Sequence, residues 1–240
     1  EDTAGPRGAG RARTWGGRKV LFISARVHPG ETPATHMFNG VLEFLLRTDD
    51  PRAAALRELY VFKLVPILNP DGVARGHYRQ DTRGRNLNRS YISPDPLEEP
   101  TIHAAKSILV HYAERGLLEM YIDLHAHANK RGCFAFGNAL EGRAHVSNVL
   151  YAKLCSLNNV HFDFGACNFS EKNMKSRDKM GDSKEGAGRV ALYRETGLTH
   201  IYTVEVNYNT SRILNLIAPA KGGDPRASPA SRARDPTKFD

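Results

Sequence analysis

Val20-Leu-Phe-Ile-Ser24, running on through Ala-Arg-Val-His28-Pro-Gly-Glu31 into Thr32-Pro33, decides how this chain folds. A short apolar run without alternation reads as a strand buried on both faces. Thr32 offers an N-cap, and Pro33 suits the first helical position, where no N–H is needed. Met37, Phe38, Val41, Leu42 and Leu45 then recur at helical spacing. A buried strand passing through a short loop into a helix is the opening unit of an α/β sheet.

The same alternation continues outward. Tyr60–Pro66 reads as a second strand, closed by the turn Asn69-Pro70-Asp71-Gly72. Ile102, Ala105, Ile108, Leu109 and Tyr112 mark a helix stopped at Gly116. Leu117–Leu124 and Cys133–Phe136 read as strands, Gly142–Leu157 as a helical stretch, and His200–Val206 as a last strand. The expected fold is α/β, with helices on both faces of a mixed, largely parallel sheet. In such sheets ligands lie beyond the carboxyl ends of the strands.

Composition bounds the rest. The 240 residues suffice for one well-packed domain. With 40% apolar and 25% charged residues, the chain excludes a disordered protein and a coiled coil. No stretch approaches the roughly 18 uninterrupted apolar residues of a membrane span. Cys133, Cys155 and Cys167 form no CxxC pair and read as thiols of a reducing compartment. Residues 1–17 and 219–240, rich in Gly, Ala and Arg or in Pro and Arg, read as disordered flanks around one domain at 18–218. Of the net charge of +8, most belongs to the body of the chain, which suits an anionic partner. Nucleic acid is disfavoured, because no long Lys/Arg run or reader motif is present.

Chemistry-bearing residues gather at the strand ends. His28 and Glu31 sit in a Pro-Gly loop and could supply two ligands of a zinc site, which takes three and leaves one position open. The spacing alone is weak, since His111 and Glu114 repeat it within a helix, where a surface pair explains it. His125 and His127 both qualify for the third ligand. Arg89 could fork onto a carboxylate with Asn88 adding an amide, and Arg79 could meet an oxyanion. Glu205 interrupts an apolar strand. Facing solvent it means nothing; facing a metal-bound water it is a general base.

His28-Pro-Gly-Glu31, Asn69-Pro-Asp-Gly72, Asn86-Leu-Asn-Arg89, Asp123-Leu-His125-Ala-His127 and Glu205, in that order, resemble the zinc metallocarboxypeptidases of the carboxypeptidase A clan. Within the clan they are most similar to the cytosolic carboxypeptidases, which trim glutamates from tubulin. Asp123–Gly132 and Cys167–Met174 look like that group's branch-point deglutamylases. The resemblance implies a carboxypeptidase-like three-layer sandwich holding one zinc through His28, Glu31 and His125. It implies Glu205 as general base and acid for a zinc-activated water, with Arg79 polarising the scissile carbonyl. Asn88 and Arg89 would grip the terminal carboxylate. It further implies glutamylated tubulin or other acidic tails as partners, removal of terminal or branch-point glutamates, and a cytoplasmic place, with microtubule or nuclear association open.

Two departures accompany it. No β-sandwich domain precedes the catalytic region, and Pro/Arg-rich sequence stands where the family continues into a helix, so the chain reads as cut short at both ends. An acidic-side-chain pocket also needs a cation shortly before the Glu205 strand. Arg189 is the first choice there, flanked by glycine, with Lys184 and Arg194 next. Tyr193 and Tyr202 are candidates for a substrate-covering tyrosine. The competing readings are a zinc amidohydrolase of the related acylase branch and a non-catalytic binder of acidic tails.

Overall fold

The structure, a computed structural model, describes residues 15–178 and 180–212. The expected flanks, apart from residues 15–17, lie outside the described residues, as do residues 213–218 of the expected domain. In chain order the elements are β1 (Lys19–Ala25), α1 (Thr32–Leu46), α2 (Pro51–Leu59), β2 (Tyr60–Val65), α3 (Pro70–Ala74), α4 (Pro100–Glu114), β3 (Leu118–His127), β4 (Cys133–Phe136), α5 (Gly142–Asn158), α6 (Glu171–Lys175), α7 (Gly188–Thr196) and β5 (Ile201–Asn207). Single 3-10 turns occupy Leu87–Arg89, Phe164–Ala166 and Lys184–Gly186.

The five strands form one sheet in the order β2-β1-β3-β5-β4. Every pairing is parallel except β4 with β5, so the sheet is mixed and largely parallel as the apolar runs predict. Val20 and Phe22 of β1, Tyr121 of β3 and Ile201 of β5 pack with Ile102, Leu109 and Tyr112 of α4 and Leu192 of α7. Ile23, Ala25 and Leu124 face the other way, onto Ala34 and Phe38 of α1. These two clusters make the three layers. On the α1 side an apolar groove runs between α1 and α5, and Leu21, Ile122 and Val204 stay only half-buried along it.

The two-residue period of the strands positions the chemistry. Tyr121, Asp123 and His125 share the face covered by α4 and α7, as do Ile201, Thr203 and Glu205. The register sets His125 beside Glu205 on neighbouring strands. Glu205 is thus on the buried side of its strand and does not face solvent.

Several boundaries differ from expectation. β3 continues through His127, so both histidines lie within the strand rather than past it. α1 starts at Thr32 with Glu31 in the capping position, and the Glu31 side chain makes no cap bond. Its oxygens are committed to the site described below. Asn69–Gly72 is the start of α3, with Asn69 Oδ1 accepting from Gly72 N at 3.0 Å. α2, α6 and α7 were not anticipated. α2 carries a weak apolar face, burying only Ala53, and depends on Asp50 capping Arg52 N at 2.9 Å.

Candidate metal centre and active site

The loop from β1 to α1 is built to hold His28. Arg26 takes a left-handed backbone conformation (φ 58°), uncommon outside glycine, and turns the chain off the strand. Its guanidinium donates to the Pro29 carbonyl at 3.0 Å and to Thr35 Oγ1 at 2.7 Å, bracing the loop from below. Gly30 donates to the Tyr78 carbonyl at 2.8 Å, and a Cβ at Gly30 would stand 2.6 Å from that oxygen. Only glycine allows the two segments to meet so closely. Asn69 Nδ2 donates to the Val27 carbonyl at 3.3 Å, tying the start of α3 to the same loop.

His28, Glu31 and His125 are all buried, and one ligand atom from each lies within 4.8 Å of the others. His28 Nδ1 is 2.7 Å from Glu31 Oε1, and His125 Nδ1 is 3.0 Å from Glu31 Oε2. Each imidazole therefore turns Nδ1 to the centre and has its other nitrogen engaged outside. His28 Nε2 meets Asn86 Oδ1 at 3.0 Å, and His125 Nε2 meets Asp123 Oδ2 at 2.7 Å. Ser24 Oγ donates to the second Asp123 oxygen at 2.7 Å. Outer partners of this kind set the tautomer and ring angle of metal-binding histidines. Two imidazoles and a carboxylate, buried and oriented this way, fit zinc with an open position.

His127 also lines the site, but its Nδ1 accepts from the Asn129 and Lys130 amides, each at 3.2 Å. Its lone pair is spent on the loop. His125, not His127, belongs to the cluster that could hold a metal.

Burial pushes the Glu31 carboxyl up, but the two imidazoles outweigh this and hold it well below the usual carboxylate range. Glu31 Oε2 also accepts the Ala126 amide at 2.9 Å. Glu205 is the opposite case. Burial raises its carboxyl to about 7, with His125 only partly offsetting the desolvation, and Oε2 has no hydrogen-bond partner among the described residues. An unpartnered, buried carboxyl at the metal centre is suited to exchanging a proton near neutral pH.

His28, Glu31, Arg79, Asn88, Arg89, His125, Arg189 and Glu205 all line one cavity of about 330 Å³. Arg79 is 3.7 Å from Glu31 Oε1 and leans on the ligand set. Asn88 Oδ1 accepts the Gly188 amide at 3.0 Å, which leaves its amide nitrogen to donate. Arg89 donates to the Asn88 carbonyl at 2.6 Å and to Asp178 Oδ2 at 2.8 Å. Arg189, 4% exposed, is held by the Gly137 carbonyl, Asn138 Oδ1 at 2.9 Å and Asn173 Oδ1 at 2.8 Å. All three acceptors are neutral. Burial lowers this guanidinium to about 10, with Glu205 pulling the other way.

Arg194 is not in the cavity; it pairs with Glu185 at 2.5 Å on the surface. Neither candidate tyrosine is there either. Tyr202 is buried and donates to the Asn148 carbonyl at 2.9 Å, and Tyr193 packs on the α4/α7 core. Tyr78 and Tyr208 line the cavity instead, and sequence reasoning missed both, along with Asp178. Asn86 and Asp123 lay inside quoted motifs without a role; the ring nitrogen each one engages supplies it.

Residues 8–130, half of the chain, match the zinc carboxypeptidase family. The chain belongs to that family. Human cytosolic carboxypeptidase-like protein 5 is 40% identical over 325 aligned residues, which take in 99% of this chain and 36% of the human protein. The chain thus spans about a third of the length of the curated relatives it matches. Among solved structures, a metallo-carboxypeptidase from Burkholderia cenocepacia superposes with a TM-score of 0.65 at 21% identity, over 79% of this chain and 48% of that one. An aspartoacylase family protein from Mesorhizobium loti superposes with a TM-score of 0.51 at 15% identity, over 80% of this chain and 53% of that one. The fold is thus shared by a metallo-carboxypeptidase and an aspartoacylase family protein, and the fold alone does not separate the two chemistries. Among the described residues no helix is long and apolar enough to cross a membrane.

Proposed function

We propose that this zinc carboxypeptidase removes glutamates from the ends of acidic protein tails, those of glutamylated tubulin among them, in the cytoplasm. The observation that carries the reading is Arg189. A buried guanidinium with only neutral partners is costly unless an anion arrives, and a terminal glutamate side chain supplies one. The basic body of the chain favours encounter with acidic tails.

His28, Glu31 and His125 would hold the zinc, which when bound supplies Lewis acidity to a water and to the scissile carbonyl. The chain's own residues do the rest. Glu205, with its free oxygen, takes the water's proton and passes it to the departing amine. Arg79 carries a fixed positive charge beside the ligand set, where negative charge develops on the carbonyl oxygen. Arg89 and the Asn88 amide fix the terminal carboxylate and so place the last peptide bond over the centre.

Zinc-loaded protein should hydrolyse peptides ending in Glu faster than the same peptides ending in Gln or Leu, with rates rising from N-acetylglutamate to longer acidic peptides. Release confined to N-acetylglutamate would move the activity to the acylase branch. Binding of acidic peptides without any turnover would leave a non-catalytic binder.

A further inference from the structure

Resting on the reading of a terminal glutamate, we propose that Lys184 is a second specificity residue, sharing the glutamate side-chain carboxylate with Arg189. Lys184 opens the 3-10 turn Lys184–Gly186, whose amides are capped by Ser183 Oγ on Glu185 N at 3.2 Å. Its own amide donates to the Ser176 carbonyl at 3.0 Å, and its carbonyl accepts from Ala187 at 3.0 Å. The turn is bolted to the Arg89 segment. Gly186 O accepts the Tyr91 amide at 3.1 Å, and a Cβ on Gly186 would stand 2.1 Å from the Arg89 carbonyl oxygen. The Lys184 backbone is therefore fixed between the arginine that grips the terminal carboxylate and the arginine at the cavity's buried end.

The side chain is half-buried and lines the same cavity, yet it makes no hydrogen bond or ion pair with any described residue. Several other cations of the chain are engaged. Lys175 pairs with Glu171, Arg177 donates to the Gly181 carbonyl at 2.6 Å, Lys130 donates to the Ala166 carbonyl at 2.8 Å, and Arg89 holds Asp178. The charged groups that act on Lys184 are Arg89, Arg189, Asp178 and Glu205.

Arg189 cannot satisfy a carboxylate alone. Both hydrogens of one terminal nitrogen are spent on Gly137 and Asn138, and one hydrogen of the other on Asn173. That leaves two donors for a group with about four lone-pair sites, and an ammonium adds three. The charges balance as well. Arg89, Lys184 and Arg189 share the cavity with Asp178 and Glu205, leaving two positive charges in excess when Glu205 is protonated and one when it is ionised. A terminal glutamate brings two carboxylates.

The test is calorimetric binding of the product amino acids to zinc-loaded protein, so that turnover is not needed. Lys184→Met should weaken L-glutamate about tenfold, the lower end expected for a charge-assisted bond at a half-exposed group, and change L-glutamine less than about threefold. Lys184→Arg should recover most of the loss. With Glu-ending peptides Lys184→Met should raise KM and leave kcat nearly unchanged. Zinc content and thermal melting, read on Lys184→Met and also on Lys184→Gln, establish that the fold and metal site survive. Equal losses for glutamate and glutamine, or no loss, overturn the assignment while wild-type preference for glutamate leaves the proposed function standing. A wild type that binds glutamate no better than glutamine overturns both.

Discussion

Asp178 Oδ2 accepts a hydrogen bond from the Arg89 guanidinium at 2.8 Å, so the arginine assigned to a substrate carboxylate already holds a carboxylate of its own chain. Asp178 is well placed for this, because its other oxygen accepts the Met180 and Asp182 amides at 2.9 and 3.1 Å. Arg89 is held independently through the Asn88 carbonyl. Asp178→Asn keeps an acceptor for the two amides and removes the competing charge. We expect KM for Glu-ending peptides to fall several-fold, up to about tenfold, with kcat unchanged. A rise in KM would instead mean that Asp178 positions Arg89 for substrate.

The metal site makes a sharper contrast. His125→Ala removes a ligand, whereas His127→Ala removes a ring whose nitrogen serves only its own loop. Metal analysis after gel filtration should show zinc lost from the first and retained in the second. Asp123→Asn should lie between, with zinc affinity lower by about 10–100-fold, since it orients the His125 ring without touching the centre. Equal zinc loss in the two histidine variants would remove the distinction.

Glu205→Gln preserves shape and abolishes the proton acceptor. Turnover should fall by about 10²–10⁴-fold, the usual contribution of a general base, while zinc content and product binding hold. A variant still turning over at near-normal rates would make Glu205 a structural residue.

What could be read beforehand follows from how local each signal is. The β1 run and its Pro-Gly loop carry strand, turn and helix start within a dozen residues, so the loop that holds His28 and Glu31 could be read from the sequence. Glu205 was not decidable, because its strand is apolar on both parities and only packing against α7 fixes the facing side. The choice between His125 and His127 hangs on what each Nδ1 faces, the Glu31 carboxylate or two loop amides, which no spacing encodes. Arg89 and Asp178 are 89 residues apart, and nothing along the chain links them. α7 hid behind its glycine start, Gly188, which reads as loop until the Tyr91 ring is seen pressing on it.

The same kind of long-range geometry underlies the expectation for Arg189. Its three acceptors come from β4's exit at Gly137 and Asn138 and from Asn173 on α6, so the guanidinium is clamped before any ligand arrives. A preorganised cation spends little on reorientation when a carboxylate binds. Arg189→Ala should therefore lower kcat/KM for peptides ending in Glu by about 10–150-fold, the worth of a desolvated charge-assisted bond. Peptides ending in Leu bring no charge to that end of the cavity and should lose far less, or gain through relief of the buried cation. Because the clamp also ties α6 to α7, Arg189→Lys belongs beside it, keeping the charge but not the fork. If the Glu and Leu substrates slow equally in Arg189→Ala, with melting temperature lowered alike, the residue is a strut between helices and the acidic preference is read elsewhere.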